Sequence, residues 1–273
     1  MKRIVLMIIP ALICGVVLTN CNSNFELDDN GVNAEHIKSI STNGTVTHKY
    51  HYDFTGKIVE ENCLLYFQKY IYGANNRLEK VESAFDRTMY SSTWHEPRTE
   101  FMTSQNSEVD NYSLYSYDKS GRLSKIEHYF NETGKRFEYR SMQTFEYNGT
   151  NIAKVNLHEP SGKITQYHVY TYDQNGNVAI DKYFTKIYSS EGTLESETAY
   201  KYDNYKNPYR VFSMLGSPGL WSNTNNIIEV NTTRYNDVPG IDKFSKSTTT
   251  YEYNKDGYPI KEITENGEFE YYY

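Results

Sequence analysis

Hydrophobic and polar positions alternate along several stretches of the chain, and residues 137–147 show the pattern most clearly. One set of alternate positions carries aromatic residues with polar gaps, while the other set carries charges such as Glu138 and Glu146. Residues 246–253 show the same alternation. Because successive side chains of a β-strand point to opposite faces, this period predicts strands with one aromatic face and one face in water.

The stretch 115–130 adds a tight turn to this pattern. Asp118 occupies the first position of the turn, where its carboxylate accepts backbone hydrogen bonds, and Gly121 occupies the fourth, where a positive φ is needed. Tyr115 and Tyr117 before the turn favour a strand, as do the apolar residues after it. The stretch is therefore predicted to be a β-hairpin in which Asp118 serves backbone geometry rather than catalysis.

This hairpin recurs along the chain, at intervals of 18 to 45 residues between successive second tyrosines. Copies of the Tyr-x-Tyr or Phe-x-Tyr pair begin at Tyr50, Tyr70, Tyr115, Phe145, Tyr170, Tyr200 and Tyr251, and a worn copy lies at Tyr235. The longest interval predicts a degenerate copy around Met89–Met102. A second family of turns lies between the copies, so each repeat contains two strands and two turns, which predicts a repeat architecture.

The predicted fold is all-β, an antiparallel meander of repeated hairpins with about 14 strands that closes into a large barrel. The number of repeats and the single aromatic face favour closure, because a closed barrel leaves no unpaired sheet edge. An open twisted sheet is the alternative.

The strand faces favour a barrel in water over a barrel in lipid. A lipid-facing band is steadily apolar, and a charge at its centre costs about 2 to 4 kcal/mol. Neither face of the predicted strands meets that standard. The strands nevertheless have the length of outer-membrane strands, and residues 268–273 alternate into a terminal aromatic residue, as the last strand of such barrels does. An inserted pore is therefore the alternative.

The N-terminus has the pattern of a secretory signal. Lys2 and Arg3 precede an apolar run, residues 4–17, that is too short for a comfortable membrane span. Residues 18–21, Leu-Thr-Asn-Cys, resemble the lipobox of bacterial lipoproteins, and this resemblance implies that Cys21 becomes the lipid-modified first residue of the mature protein. An ordinary signal peptide with an unrelated cysteine is the alternative.

These features predict three segments. We expect a lipoprotein signal peptide over residues 1–20, the lipidated cysteine and a flexible tether over 21–34, and a single repeat-built β domain over 35–273. The expected location is the outer membrane of a cell envelope, on either the periplasmic or the outer surface, with the membrane contacted through the lipid on Cys21.

Charge and cysteine content narrow the partners. Loss of residues 1–20 removes Lys2 and Arg3 and no acid, which leaves 26 basic against 35 acidic residues and a formal charge of −9. This negative charge argues against nucleic acid as a partner.

Of the three cysteines, Cys14 leaves with the signal and Cys21 carries lipid. Cys63 then has no partner for an intrachain disulfide and is predicted to be a small core residue in an apolar strand over residues 63–67.

The motif Tyr-x-Tyr-Asp-x-x-Gly-Arg-Leu at residues 115–123 resembles the YD repeat of RHS-type proteins. Those proteins are far longer, wrap a cargo and carry a C-terminal toxin, so a toxin-delivery role is not carried over. The whole layout is similar to Bacteroides-type lipoproteins of unknown function with degenerate Tyr-x-Tyr-Asp hairpins and a porin-like fold. That resemblance implies a large antiparallel barrel and brings no catalytic residues.

No established catalytic or metal motif is present. The seven histidines lack the spacing of a HExxH helix or a zinc cluster, and no P-loop or Gly-x-Ser-x-Gly elbow occurs. His48 and His51 are predicted to lie on opposite strand faces, as are Glu60 and Glu61, each of which we expect in solvent. We therefore predict no enzyme activity, no cofactor and no metal site.

Two excursions, residues 91–111 and 213–226, interrupt the repeat, and each holds one of the two tryptophans. Long excursions often carry function, and tryptophan suits stacking on sugars or partner side chains. The candidate ligand-binding residues are Trp94, Trp221, Tyr115, Tyr117, Tyr170 and Tyr172. Alternatively, each tryptophan fills a barrel end or covers a sheet edge.

Three functions follow, in decreasing order of support. The first is a non-enzymatic envelope protein whose loops bind a glycan or a partner protein. The second is a transport component whose barrel inserts and conducts. The third is a hydrolase with an unrecognised site.

Overall fold

The computed structural model describes residues 36–90, 98–132, 134–187, 189–236, 240 and 242–273. These residues form 17 β-strands and two short 3₁₀ helices. The strands are β1 Ser39–Thr42, β2 Thr45–Tyr52, β3 Ile58–Cys63, β4 Tyr66–Tyr72, β5 Leu78–Phe85, β6 Asn111–Tyr117, β7 Leu123–Phe130, β8 Glu138–Asn148, β9 Asn151–His158, β10 Ile164–Tyr172, β11 Val178–Thr185, β12 Thr193–Tyr202, β13 Ile227–Arg234, β14 Phe244–Thr248, β15 Thr250–Tyr253, β16 Pro259–Thr264 and β17 Gly267–Tyr272. The 3₁₀ helices are Arg87–Tyr90 and Pro208–Leu215.

The strands form one antiparallel meander that closes almost completely into a barrel. Each strand from β1 to β13 pairs with the next, and β1 also pairs with β17, which joins the first strand to the last. β14 and β15 are separated only by Thr249 and continue in one direction, β14 pairing with β13 and β15 with β16. Counted as one, they give the even number of strands that an antiparallel ring requires. The all-β barrel expected from the sequence is confirmed. The expected number of about 14 strands approximates the 17 that the structure contains.

The predicted turns are present. The Asp118 carboxylate accepts the backbone N–H groups of Ser120 and Arg122, each at 2.9 Å. The N–H of Gly121 donates to the Asp118 carbonyl at 2.9 Å, and Gly121 has a φ of 80°. Asp53, Asp173 and Asn254 accept corresponding backbone bonds in their own turns. All these turns lie at one end of the barrel.

In six repeats the second tyrosine ties its strand to the preceding hairpin, and Tyr251, the first tyrosine of its pair, and Tyr273 make the same kind of bond. At this end of the barrel, neighbouring hairpins separate before the turns; the ladder between β7 and β8, for example, ends at Lys125 and Thr144. A tyrosine hydroxyl then donates to a backbone carbonyl that the ladder leaves without a partner. The eight donor–acceptor pairs, at 2.6 to 3.2 Å, are Tyr52–Ile37, Tyr72–Ile58, Tyr117–Leu78, Tyr147–Leu123, Tyr172–Ile152, Tyr202–Val178, Tyr251–Ile227 and Tyr273–Pro259.

The basic residue that follows the positive-φ turn residue, Asn76 or Gly121, also contacts the next repeat. Arg77 lies 5.3 Å from the Tyr117 ring centroid, and Arg122 lies 4.7 Å from that of Tyr147. A Cβ added at Gly121 would displace the Arg77 guanidinium, but it is the φ of 80° that requires glycine there. The Gly-Arg-Leu part of the motif is thus explained by packing between neighbouring hairpins.

Strand faces agree with the predicted alternation. Tyr50 and Tyr70 point inward and are buried. His48 is paired opposite Cys63 on the inner face, whereas His51 and Glu60 are paired on the outer face. Cys63 is buried and free, as expected for a small core residue.

Three expectations need correction. The described part of the long interval holds no degenerate hairpin, because β5 pairs directly with β6 and residues 98–110 form a loop. Met102 of this loop packs on Phe67 and Ala84 outside the barrel. Leu64 and Leu65 do not continue a strand but link β3 to β4. Glu61 is buried rather than solvated. None of the described helices has the length and apolarity needed to cross a bilayer.

Candidate functional site

One end of the barrel is closed by an insertion between β12 and β13. This plug, residues 203–226, contains the 3₁₀ helix Pro208–Leu215, which Asn207 caps by accepting the Tyr209 N–H at 2.9 Å. Phe212 of the helix is 1% exposed, and its ring lies 5.5 Å from that of Tyr50 on the inner wall. The excursion expected from the sequence is therefore folded into the lumen.

Buried asparagines fix the plug to the wall. The side-chain oxygen of Asn223 accepts the Val178 N–H at 2.9 Å, and its amide donates to the Tyr202 hydroxyl at 3.0 Å. The Asn177 side-chain oxygen accepts the N–H groups of Thr224 and Asn225 at 2.7 and 3.0 Å. Because these bonds satisfy buried polar groups on both partners, the plug is a built part of the barrel and not a loose loop.

The lumen has two unlike halves. Inward residues of β1–β5 and β17, including Ile40, Tyr70 and Tyr271, form an apolar cluster with the plug, and we call this side of the lumen the apolar half. In contrast, no residue of β8, β10, β12 or β13 that the structure describes is buried. Those four strands keep partial contact with water, although β9 and β11 between them bury Val155, Leu157 and Val178, and we call their side of the lumen the polar half.

A cavity of about 520 Å³ opens at the end opposite the plug, where β5, β6, β7 and β8 meet. By strand alternation its inward side chains are Phe85, Asn111, Ser113, His128 and Phe130. Its lining is completed by Arg87, Asp110, Tyr112, Tyr129 and Arg140. Its volume is within the range of sites for small molecules, and two phenylalanine rings beside amide, hydroxyl and imidazole groups give it both apolar and hydrogen-bonding walls.

The cavity walls carry little unbalanced charge. Burial lowers the pKa of His128 to about 4, so the imidazole is neutral at pH 7, and it shares a 2.8 Å hydrogen bond with Ser113. Arg87 pairs with Asp110 at 3.2 Å, and Arg140 pairs with Glu132 at 2.5 Å. A neutral polar ligand suits such a surface better than an ion does.

A buried acid lies behind the cavity. Glu61 is 7% exposed and accepts hydroxyl bonds from Tyr66 at 2.7 Å and Tyr70 at 3.2 Å. Burial raises its pKa to about 7, against the opposing effect of those two bonds. The Tyr66 ring lies 6.0 Å from Phe85, which lines the cavity. Sequence alternation places Glu60 and Glu61 on opposite faces but gives no sign that the neighbours of Glu61 exclude water.

A second buried acid lies in the apolar half. Burial raises the pKa of Glu262, which accepts a hydrogen bond from the Tyr271 hydroxyl. The hydroxyls of Tyr271 and Tyr209 are 3.2 Å apart, which connects this acid to the plug.

A histidine–aspartate hydrogen bond lies on the polar half. The His168 Nδ1 is 2.9 Å and 3.2 Å from the two carboxylate oxygens of Asp181, between the rings of Tyr170 and Tyr183. Across the described ranges, no group of three or more potential ligands among His, Cys, Asp and Glu is placed to hold a metal ion.

The residues predicted to bind ligand are spread over several environments. Trp221 packs in the plug, 5.0 Å from the Phe212 ring. Tyr115 packs against the apolar cluster, and Tyr170 faces the lumen beside His168. The Tyr117 and Tyr172 hydroxyls are bonded to backbone carbonyls, as described above. Trp94 and Cys21 lie outside the described residues. The structure therefore does not bring the six candidates together, and the cavity side chains were not among them.

Comparisons with known proteins do not name a family. The sequence matches no protein-family model and no curated protein. A porin-like protein from Bacteroides vulgatus has a similar structure, with a TM-score of 0.48 and 11% identity, over 87% of this chain and 98% of that chain. A porin-like protein from Bacteroides uniformis gives a TM-score of 0.38 and 10% identity, over 86% and 96%. A Photorhabdus luminescens Tc holotoxin pore gives 0.30 and 13%, over 80% of this chain and 10% of that chain.

Proposed function

We propose that the protein is a non-enzymatic, lipid-anchored binding module of the cell envelope whose cavity takes a small neutral carbohydrate. The observation that carries this proposal is the cavity of about 520 Å³ with Phe85 and Phe130 beside the neutral His128. Aromatic rings pack on the apolar face of a sugar ring, while hydroxyl, amide and imidazole groups match its hydroxyls.

The outer surface supports a barrel in water over an inserted pore. Outward ion pairs occur near the middle of strands all round the barrel. They include Lys80–Glu82, Lys125–Glu127, Lys182–Glu197 and Lys261–Glu268, at 2.6 to 3.1 Å. Glu229 pairs with both Lys201 and Lys246, and the bonds from these lysines lower its pKa to about 2. Each such charge would be costly in the middle of a lipid-facing band.

Binding is tested by isothermal titration calorimetry of the purified chain with a panel of neutral and charged oligosaccharides. We expect a neutral sugar to bind and Phe130→Ala to weaken it at least tenfold, because the variant removes a stacking face. Phe184→Ala is the matched control, since Phe184 stacks on Tyr167 on the outer face and is not part of the cavity. Equal loss in both variants, or no heat across the panel, would contradict a carbohydrate site in the cavity.

The non-enzymatic part has its own test. Mass spectrometry of the sugar after prolonged incubation with the protein should recover it unchanged. Cleavage that is lost in Glu61→Gln would favour the hydrolase hypothesis instead. The lipid anchor is tested by the mass of the N-terminal peptide, which should carry acyl chains on Cys21.

A further inference from the structure

Both ends of the described domain meet at the plugged end of the barrel. The His36 ring stacks on Tyr52 at 4.8 Å, and the Lys38 N–H donates to the Tyr272 carbonyl at 2.7 Å. The Tyr273 hydroxyl bonds to the Pro259 carbonyl at the same end. The chain that precedes residue 36 therefore joins the barrel here, and not at the end that carries the cavity.

Exposed apolar side chains surround this junction. Phe54 stands fully exposed at the tip of the β2–β3 turn, and Ile260 and Tyr272 are exposed on β16 and β17. Tyr205 is exposed at the start of the plug and stacks on Tyr253 of β15 at 3.8 Å. These four side chains, which we call the N-terminal patch, lie on or beside the consecutive strands β15, β16, β17, β1, β2 and β3. Neighbouring strands are about 4.8 Å apart, so the patch spans roughly 25 Å with β1 near its centre.

Among the described residues, the opposite end also carries four exposed large apolar side chains, Phe137, Ile187, Tyr235 and Phe244. Phe137 precedes β8, whereas Ile187, Tyr235 and Phe244 lie at the ends of β11, β13 and β14, on the side of the ring away from β1 where the chain enters. This end also carries the cavity mouth.

We propose that the N-terminal patch rests on the lipid bilayer that holds Cys21, so that the plugged end faces the membrane and the cavity faces away from it. The orientation depends on the proposed lipid anchor. Residues 22–35 span at most roughly 50 Å, so an anchored barrel stays close to the bilayer at high local concentration, where a weak contact decides which surface touches lipid. Aromatic side chains favour the membrane interface, and the plug leaves no opening at this end to obstruct.

The orientation is tested with a bilayer quencher. The acylated protein is placed on phosphatidylcholine vesicles that contain brominated lipid, with a fluorophore on Thr55→Cys at the plugged end or on Lys135→Cys at the opposite end. Both positions are exposed. We expect at least twofold stronger quenching at position 55. Because the contact is apolar, the difference should persist at high salt.

Two single substitutions identify the surface responsible. Phe54→Ser should reduce quenching at position 55 to the level at position 135, whereas Phe244→Ser, which removes an exposed phenylalanine at the other end, should leave the difference intact. Equal quenching at the two positions in the unsubstituted protein, or stronger quenching at 135, would overturn the proposal.

Further measurements distinguish a missing lipid anchor on Cys21 from a wrong orientation of the barrel. The mass of the Cys21 peptide reports the acyl chains. If they are missing, the same quenching is measured with the signal-free chain held through an N-terminal hexahistidine tag on nickel-chelating lipid. Stronger quenching at position 55 would then support the patch without the natural anchor, and its absence would count against the patch itself.

Discussion

The two halves of the lumen are built from the same hairpin repeat but are filled differently. Around β1–β5, inward side chains such as Ile58 and Tyr70 meet Phe212 of the plug and are buried. Around β10–β13, the inward positions of β10, β12 and β13 stay partly exposed and include His168, whereas Val178 and Thr185 of β11 are buried. The repeat therefore determines the wall of the barrel, whereas the insertion between β12 and β13 determines which part of the wall becomes a core.

Because they are filled differently, one half of the lumen should contribute mainly to the stability of the fold and the other to ligand binding. Burial of apolar side chains is the main favourable contribution to folding, so the half that contacts the plug should stabilise the barrel. The remaining lumen keeps polar groups that a solvent-filled or ligand-filled space can satisfy. The cavity of about 520 Å³ lies along β5–β8, where the two halves meet.

Truncation of an inward phenylalanine in each half should give the largest contrast. Phe212→Ala should lower the free energy of unfolding by about 3 to 5 kcal/mol, because it empties a fully buried site. Phe145→Ala, on the inner face of β8, should lower it by about 1 kcal/mol, because the half-buried ring is already reached by water. Denaturant unfolding followed by circular dichroism measures both values. Equal losses would show that the polar half is a core too.

Glu61, one of the two buried acids, should make the stability of the protein depend on pH. The pKa of Glu61 is raised from 4.5 to about 7 by burial, so between these values the folded chain binds a proton that the unfolded chain has lost. Its contribution is complete below pH 4.5 and is lost as pH rises through 7. At pH 8, Glu61→Gln should therefore be more stable than the unsubstituted protein by roughly 2 to 4 kcal/mol, and near pH 4.5 the two should be alike.

The neighbouring outward acid is the matched control. Burial alone would raise the pKa of Glu60, but hydrogen bonds from Ser104 and Asn62 outweigh burial and lower that pKa. A lowered pKa contributes stability that is present above the unfolded value and lost as pH falls, so Glu60→Gln should be destabilised at neutral pH. Thermal unfolding between pH 4.5 and 8 measures both variants. If both variants changed the stability in the same direction above pH 7, the placement of Glu60 and Glu61 on opposite faces would be contradicted.

The sequence predicts the wall of this barrel well and its contents poorly. The turn at Asp118–Gly121 depends on side chains within five residues, and alternation in β8 depends on the next residue, so both can be recognised locally. Phe212 and Trp221 give no local sign that they lie inside the ring, because their partners are far away in sequence. Glu61 shows the same limit: alternation separates it from Glu60, but its burial depends on tyrosines of another strand.

Removal of the tyrosine hydroxyls that join neighbouring hairpins should give the smallest difference in stability between the two halves of the lumen. Tyr52 donates to the Ile37 carbonyl and Tyr172 to the Ile152 carbonyl, both at 2.8 Å, but Ile37 is fully buried while Ile152 is only half-buried. Tyr52→Phe leaves its carbonyl without a partner and without water, which should cost about 1 to 2 kcal/mol. Tyr172→Phe should cost only a few tenths of a kcal/mol, because water can replace the hydroxyl. Chemical denaturation resolves this difference, and equal costs would mean that water does not reach the polar half at this seam.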